Sequence, residues 1–152
     1  KSIAMLDVAL RRRFWFVRCE PSESVLKEQF NISHLDKITD QDDSDNVKKI
    51  AVKLFKLLND EILSNKNFGN DASELKVGHS YFLKLLNKDE DGNEIEPTFS
   101  DLKNIWFYSI IPLLEEYCSF DKEMLSKLFI NNKLNKDLTQ KKEFSLENLK
   151  NL

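Results

Sequence analysis

One segment constrains the fold of this chain more than any other: between Val47 and Ile62 the apolar residues recur every three or four positions. That period places them along one face of an α-helix. Lysines occupy much of the opposite face, namely Lys48, Lys49, Lys53 and Lys56. The pattern therefore predicts an amphipathic helix that buries one face in a hydrophobic core.

Shorter segments before and after it also carry helical signals. Ser22 can cap a helix over residues 23–30, and Thr98 opens a capping-box pattern for a helix that runs to Tyr117. A further helix is predicted over residues 121–130. The chain has three Gly and three Pro among 152 residues, and 32% of its residues are charged, which favours helices over tightly turned β structure. We predict a mainly α fold.

The connections between these helices differ in character. The sequence predicts a polar loop at residues 65–74 and a charged loop or small hairpin at residues 88–97, with Asp91-Gly92 at its tip. Pro112 is expected to kink its helix, because the proline ring removes an amide donor. Residues 132–152 are rich in Lys, Asn, Gln and Glu, and we predict a polar, flexible tail there.

The first 20 residues differ from the rest. A helical pattern gives way at residues 14–17 to Phe-Trp-Phe-Val, a bulky run without polar alternation. Such a run is typical of a strand that is covered on both faces. Because no comparable run follows, we expect the other strands of its sheet to precede Lys1 in a longer protein.

The overall charge excludes some classes of function. The net charge is −3 and the isoelectric point is about 5.5, so the chain as a whole lacks the positive footprint of a protein that binds nucleic acid or anionic membranes. The sequence has no apolar run that approaches 18 residues and no signal-peptide pattern. We therefore expect a cytoplasmic protein without a membrane partner.

No metal site is predicted. Cys19 and Cys118 stand far apart, and only two histidines could assist them, so neither a zinc site nor a disulfide framework is expected. Both thiols are expected to be buried and reduced. The acidic segments that begin at Asp40 and Asn87 lack the Gly or the Glu that a calcium loop requires, and we predict solvated loops there.

Arg11, Arg12 and Arg13 stand together at the C-terminal end of the first helical pattern. One or two cations there would complement the helix dipole, by about 0.3–1 kcal/mol each. Three in a row fan over about 200° of a helix surface, so at least one guanidinium projects away from the core, where its rigid fork suits a phosphate. The sequence holds no glycine-rich phosphate-binding loop, and the chain is not expected to bind a nucleotide alone.

In three places the sequence resembles the McrB-like AAA+ proteins, the nucleotide-driven ring subunits of modification-dependent DNA restriction systems. The matching blocks are Lys1-Ser2-Ile3-Ala4-Met5-Leu6-Asp7 with Ala9-Leu10-Arg11-Arg12-Arg13-Phe14, then Val77-Gly78-His79-Ser80-Tyr81-Phe82, then Pro112-Leu113-Leu114-Glu115-Glu116-Tyr117. Their order and spacing resemble the family as far as Phe129. The resemblance implies an AAA+ C-terminal helical lid subdomain over residues 21–131, preceded at residues 1–20 by the last helix and strand of the α/β nucleotide-binding core.

For function, the resemblance implies an active site that is shared between subunits, with the Walker loops upstream of this chain. Arg12 is expected to be the finger that reaches the γ-phosphate held by a neighbouring subunit, with Arg13 as its partner and Arg11 beside them. Asp7 would orient these arginines or pair across the interface, or else be a plain surface charge. The sequence leaves open which arginine is the finger.

The same resemblance implies that the lid approaches the nucleotide through Gly78, His79, Ser80 and Tyr81. His79 is the sharpest candidate, with a hydrogen-bonded structural role as its alternative. For Tyr81 we expect a packing role rather than contact with the nucleotide. The implied cofactor is GTP or ATP with Mg in the intact protein, and the sequence does not decide between the two nucleotides.

The implied partners are further copies in a hexameric ring, a McrC-like nuclease subunit, and DNA bound through a separate N-terminal domain. The residues alone leave a second hypothesis, a stand-alone helical module that binds a protein or a nucleic acid. Salt-sensitive DNA binding by this chain would favour that module, because phosphate contacts weaken steeply with salt.

Overall fold

The structure is a computed structural model that describes residues 19–35, 38–39, 41–130 and 137–152. In the described part, helices α1 (Glu23–Gln29) and α2 (Ser44–Ser64) are followed by two 3-10 helices (Lys66–Leu75 and His79–Leu85), strands β1 (Asn87–Lys88) and β2 (Glu94–Ile95), α3 (Phe99–Ile105), a π-helical turn (Trp106–Ile110), α4 (Ile111–Tyr117), α5 (Lys122–Ile130) and α6 (Leu146–Leu149). The predicted mainly α fold is confirmed. The strand predicted at residues 14–17 lies outside the described residues.

Helix α2 is the centre of the core. Its predicted apolar face is buried from Val47 to Ile62, and it contacts α1, α3, α5 and both 3-10 helices. Each large aliphatic side chain that is fully buried stabilises the fold by about 1.5–3 kcal/mol relative to an exposed one. No helix in the described ranges is both long and apolar enough to cross a lipid bilayer.

The acidic segment before α2 caps two helices. Asp43 is the N-cap of α2, where its Oδ1 accepts the Asn46 amide at 2.8 Å. Asp42 Oδ1 accepts the amide of Phe99, the first residue of α3, at 2.8 Å. At the same end of α3, Thr98 and Asp101 form the predicted capping box. These carboxylates satisfy helix amide groups that lack intrahelical partners, a structural role that the prediction of a solvated loop did not include.

The long helical segment after Thr98 is irregular just before Pro112. Residues Trp106–Ile110 form the π-helical turn, which closes with a hydrogen bond from the Ile111 amide to the Trp106 carbonyl. Pro112 follows directly, as the second residue of α4, and the proline ring supplies no amide proton to the helix. The disturbance predicted at Pro112 is thus accommodated by a wider helical turn.

The loops before this helix differ from expectation in one place. Residues 65–74, predicted as a polar loop, belong largely to the first 3-10 helix, and Phe68 and Ala72 are buried there. The predicted hairpin is confirmed, since β1 and β2 pair in antiparallel register with Asn87 opposite Ile95. Of the two thiols predicted to be buried, Cys118 is buried, but Cys19 is exposed.

The prediction of a flexible tail at residues 132–152 is wrong for the part that the structure describes. Leu138, Phe144 and Leu149 are fully buried. Trp106 Nε1 donates to the Leu138 carbonyl at 2.9 Å, and the Phe144 ring stacks on the rings of Trp106 and Phe99, with centroid distances of 5.1 and 5.6 Å. A few well-placed apolar side chains outweigh the polar composition of this segment.

Asp137 ties the same segment to α5. Its carboxylate accepts hydrogen bonds from the Ser126 hydroxyl at 3.0 Å, from Gln140 Nε2 at 3.0 Å, and from the amide and hydroxyl of Thr139 at 3.1 and 2.6 Å. Burial alone would raise the pKa of this carboxyl. The hydrogen bonds, led by those from Thr139 and Gln140, favour the charged form and hold the pKa below its ordinary value.

Replacing Phe144 by Ala tests whether the C-terminal segment is part of the core. Because the ring is fully buried among other aromatic rings, Phe144→Ala should lower the free energy of unfolding by about 3–5 kcal/mol, measured by urea denaturation. Leu63→Ala, a control at a side chain that is 48% exposed, should cost no more than about 1 kcal/mol. A Phe144 variant as stable as the wild type would contradict the packed segment.

The lowered pKa of Asp137 gives a signed prediction about pH. Since the folded pKa lies below the unfolded value of about 3.9, the carboxylate contributes its full stability above that pH and loses it as the pH falls through the folded pKa. Asp137→Asn should lower the free energy of unfolding by about 1 kcal/mol at neutral pH, and the difference should disappear in acid.

Urea denaturation of both proteins at a series of pH values measures this difference. Glu90→Gln on the exposed hairpin is the control and should leave the stability unchanged throughout. A deficit for Asp137→Asn that stays constant into acid would count against the charge of Asp137 as its cause.

Candidate functional site

The predicted lid residues lie together at one junction of the fold. Gly78 is the N-cap of the second 3-10 helix, and His79, Ser80 and Tyr81 form its first turn. Ser80 is exposed, while His79 and Tyr81 are half-buried. The other predicted site residues, Asp7, Arg11, Arg12 and Arg13, lie outside the described residues.

A buried side chain of α2 holds the backbone that leads into this turn. Asn59 is only 7% exposed, and its Oδ1 accepts the Val77 amide at 2.7 Å while its Nδ2 donates to the Val77 carbonyl at 3.1 Å. One amide side chain thus pairs with both polar groups of one backbone residue. We call this pair of hydrogen bonds the Asn59 clamp; it fixes where residues 78–81 begin.

Two surface contacts join the same turn to the chain that enters the helical domain. The Ser22 amide donates to His79 Nδ1 at 3.2 Å, and Lys76 Nζ pairs with the Glu20 carboxylate at 3.1 Å. Ser22 is also the N-cap of α1. The segment that follows the arginine cluster in sequence therefore meets the predicted lid residues directly.

The hydrogen bond to Ser22 determines which nitrogen of His79 carries the proton. A neutral imidazole has one donor and one acceptor nitrogen, so Nδ1 accepting from Ser22 implies a proton on Nε2. The structural role that the sequence left as an alternative for His79 is present. This hydrogen bond occupies Nδ1 and leaves the Nε2–H group of His79 as a donor for a phosphate oxygen or a nucleotide base.

The remaining residues of the turn have distinct environments. Gly78 has an extended backbone with φ of −67°, and a Cβ there would stand 3.3 Å from Ser80 Oγ, so the backbone itself does not demand glycine. Tyr81 packs against the core, as expected, with Lys84 Nζ 5.4 Å from its ring centre. The nearby Tyr117 has a raised pKa. Burial is the largest cause, and the charges of Tyr81 and Glu116 add to it.

The junction combines an exposed Ser80 side chain with a backbone that the Asn59 clamp holds in place. Within residues 19–35, 38–39, 41–130 and 137–152, no group of three or more His, Cys, Asp or Glu side chains could hold a metal ion.

A family model described as the McrB alpha-helical lid domain matches residues 51–126 of this chain. The chain belongs to the McrB lid family. The matched region contains the Asn59 clamp, residues 78–81 and α3 to the first part of α5, and does not include the arginine cluster at residues 11–13. No solved structure matches the chain closely enough to be counted as similar.

Among curated proteins, the type IV methyl-directed restriction enzyme EcoKMcrB subunit of Escherichia coli strain K12 is similar to this McrB lid chain. The two are 36% identical over 121 residues, which cover 77% of this chain and 23% of that protein. The chain thus spans about a quarter of the length of the relative it matches.

Asn59 is the site residue that sequence analysis missed. It lies next to Leu58 and four positions after Phe55, and it is one of two polar residues, with Asn46, that α2 buries. A polar residue among the buried positions of an amphipathic helix is costly unless it has partners, so its position was a usable signal. Its partner Val77 lies 18 residues away, which helical periodicity does not reveal.

Removing the Asn59 clamp should destabilise the McrB lid. Asn59→Ala leaves the buried amide and carbonyl of Val77 without partners, and we expect the free energy of unfolding to fall by about 2–4 kcal/mol in urea denaturation. Hydrogen exchange of the Val77 amide should accelerate as well. Asn104→Ala, at an exposed position of α3, is the matched control; equal stability of the two variants would refute the clamp.

Proposed function

We propose that this chain is the helical lid of a nucleotide-hydrolysing motor subunit in a modification-dependent DNA restriction system. The observation that carries the proposal is the McrB lid match over residues 51–126. The similar E. coli protein is a methyl-directed restriction enzyme subunit, which supports the same class of system. DNA would be bound by a separate domain of the longer protein.

The proposed active site is shared between neighbouring subunits. Arg12 acts as a finger toward the γ-phosphate in the next subunit, with Arg13 as its partner and Arg11 beside them, while Asp7 orients these arginines or pairs across the interface. An arginine supplied in trans stabilises negative charge on the transferred phosphoryl group and is worth roughly 10³–10⁵ in rate. GTP or ATP with Mg is the proposed cofactor, and hydrolysis requires the assembled hexameric ring.

The proposed role of the lid residues is to contact the nucleotide from the opposite side. Nε2–H of His79 and the exposed hydroxyl of Ser80 are two side-chain donors in residues 78–81. The Asn59 clamp supports this role, because a binding turn gains precision when its backbone is held by a buried side chain. Nucleotide contact at His79 would then reach Ser22, and through it the chain that carries the arginines.

The proposed partners follow from the same assignment. Further copies of the subunit form the ring, and a McrC-like subunit provides the nuclease that the motor drives. The proposed location is the cytoplasm, where such a system would meet foreign DNA.

Replacing Arg12 by Ala in the full-length protein tests the finger. We expect nucleotide affinity to stay within a few-fold of wild type while the rate of hydrolysis in the assembled ring falls by roughly 10³-fold or more, since the guanidinium acts on charge that develops in the transition state. Phosphate release under saturating nucleotide measures the rate, and equilibrium titration measures the affinity.

A matched control and a mixing experiment make the test specific. Arg18→Ala removes an arginine outside the cluster and should leave hydrolysis within a few-fold of wild type. Arg12→Ala subunits mixed with subunits whose nucleotide site is disabled should regain part of the activity, because each supplies what the other lacks. Unchanged turnover in pure Arg12→Ala rings would rule out the finger.

A further inference from the structure

The residues at the start of the second 3-10 helix are held to different degrees. Val77, which precedes the helix, is fixed at both of its backbone polar groups by the Asn59 clamp. His79 is fixed where its Nδ1 accepts the Ser22 amide. The Ser80 side chain is exposed, and its hydroxyl has no hydrogen-bond partner among the residues that the structure describes. That hydroxyl is therefore free to turn toward a ligand.

Gly78 lies between the two fixed residues and has a backbone conformation that any residue adopts. Its φ and ψ angles are −67° and 143°, which is close to polyproline II geometry. Glycine at such a position costs stability, because it loses more conformational freedom on folding than any other residue. The backbone conformation therefore gives no reason for a glycine at position 78.

The space beside Gly78 does give a reason. A Cβ at position 78 would stand 3.3 Å from Ser80 Oγ, which is closer than an ordinary van der Waals contact. The backbone is not free to move away, because the residues on either side of Gly78 are held by hydrogen bonds. The exposed Ser80 side chain would instead change its χ1 rotamer, which turns the hydroxyl by about 120°.

We propose that Gly78 is a positioning residue for nucleotide binding, because it leaves open the space in which Ser80 Oγ meets the nucleotide. This inference rests on the proposed function, in which the Ser80 hydroxyl donates to the nucleotide. It adds that the Ser80 rotamer present in the structure is the binding one, and that a methyl group at position 78 excludes it.

Replacing Gly78 by Ala should stabilise this chain. The backbone angles suit alanine, and alanine reduces the freedom of the unfolded chain, so the Tm should rise by about 1–4 °C in differential scanning calorimetry. A fall in Tm would overturn the proposal, because the new Cβ would then strain the backbone instead of turning the Ser80 side chain.

The same change should weaken nucleotide binding in the full-length protein. For non-hydrolysable analogues of GTP and ATP with Mg, each titrated separately, we expect the Kd of the tighter one to rise about tenfold with Gly78→Ala, the loss of one hydrogen bond to a charged group. The hydroxyl binds the nucleotide before and during hydrolysis, so the loss should appear in KM rather than in kcat. An unchanged Kd would contradict the positioning role.

Gly69, in the preceding 3-10 helix, provides a matched control. Its φ is 55°, and a Cβ there would meet nothing within 4 Å. Gly69→Ala should lower the Tm by at least about 2 °C, because this backbone conformation disfavours a side chain, and should leave the Kd for nucleotide unchanged. Equal losses of affinity in the Gly69 and Gly78 variants would mean that affinity follows general changes in the lid, and would refute the proposal.

A double variant tests whether Gly78 acts through Ser80. Ser80→Ala should raise the Kd by about tenfold, and Gly78→Ala combined with Ser80→Ala should bind no more weakly, because no hydroxyl remains to be displaced. Two losses that multiply would refute action through Ser80.

The single variants separate this proposal from the proposed function. If Ser80→Ala binds nucleotide like the wild type, the proposed contact is wrong and the role of Gly78 falls with it. If Ser80→Ala weakens binding and Gly78→Ala does not, the contact stands and the positioning role alone is wrong.

Discussion

The fold around the candidate site depends on a single buried amide. Moving an amide from water into an apolar interior without partners costs roughly 2–7 kcal/mol, and Asn59 lies on the face of α2 that forms the core. It is tolerated because both of its polar atoms bond Val77. The same bonds pair the backbone amide and carbonyl of Val77, which lies between two 3-10 helices and outside the regular hydrogen-bond pattern of a helix or sheet.

Contacts at the edge of this region are of a different strength. The Glu20–Lys76 pair is partly exposed, with side-chain exposures of 47% and 23%, and such pairs contribute about 0–1 kcal/mol. The Ser22–His79 hydrogen bond is neutral and partly buried, worth roughly 0.5–1.5 kcal/mol. Among these contacts of the described residues, the Asn59 clamp is therefore the stronger one, and the contacts that Val77's neighbours Lys76 and His79 make with Glu20 and Ser22 are the weaker ones.

The sequence predicted those parts of the fold that depend on local patterns. Helix α2 and the capping box at Thr98 were predictable, because periodicity and cap residues act over a few positions. The packing of Phe144 was not, since a polar composition conceals three apolar contacts whose partners lie far along the chain. The Asn59 clamp escaped prediction for the same reason. Residues 78–81 were identified through resemblance to a family, while their attachment to Ser22 required coordinates.

Two departures from local rules flank the block Pro112–Tyr117, and they differ in what compensates them. The π-helical turn before it is compensated inside the chain, because Trp106 becomes fully buried and reaches the Leu138 carbonyl. The turn after it is left-handed at Ser119 and Phe120, whose φ angles are 52° and 62°, and its backbone hydrogen bonds would form equally well with glycine at position 120. Glycine or asparagine is the ordinary residue there, so the aromatic ring of Phe120 adds strain that the fold itself does not require. The contrast with Trp106 lies in the side chain, because that of Trp106 gains burial and a hydrogen bond while that of Phe120 stays 72% exposed.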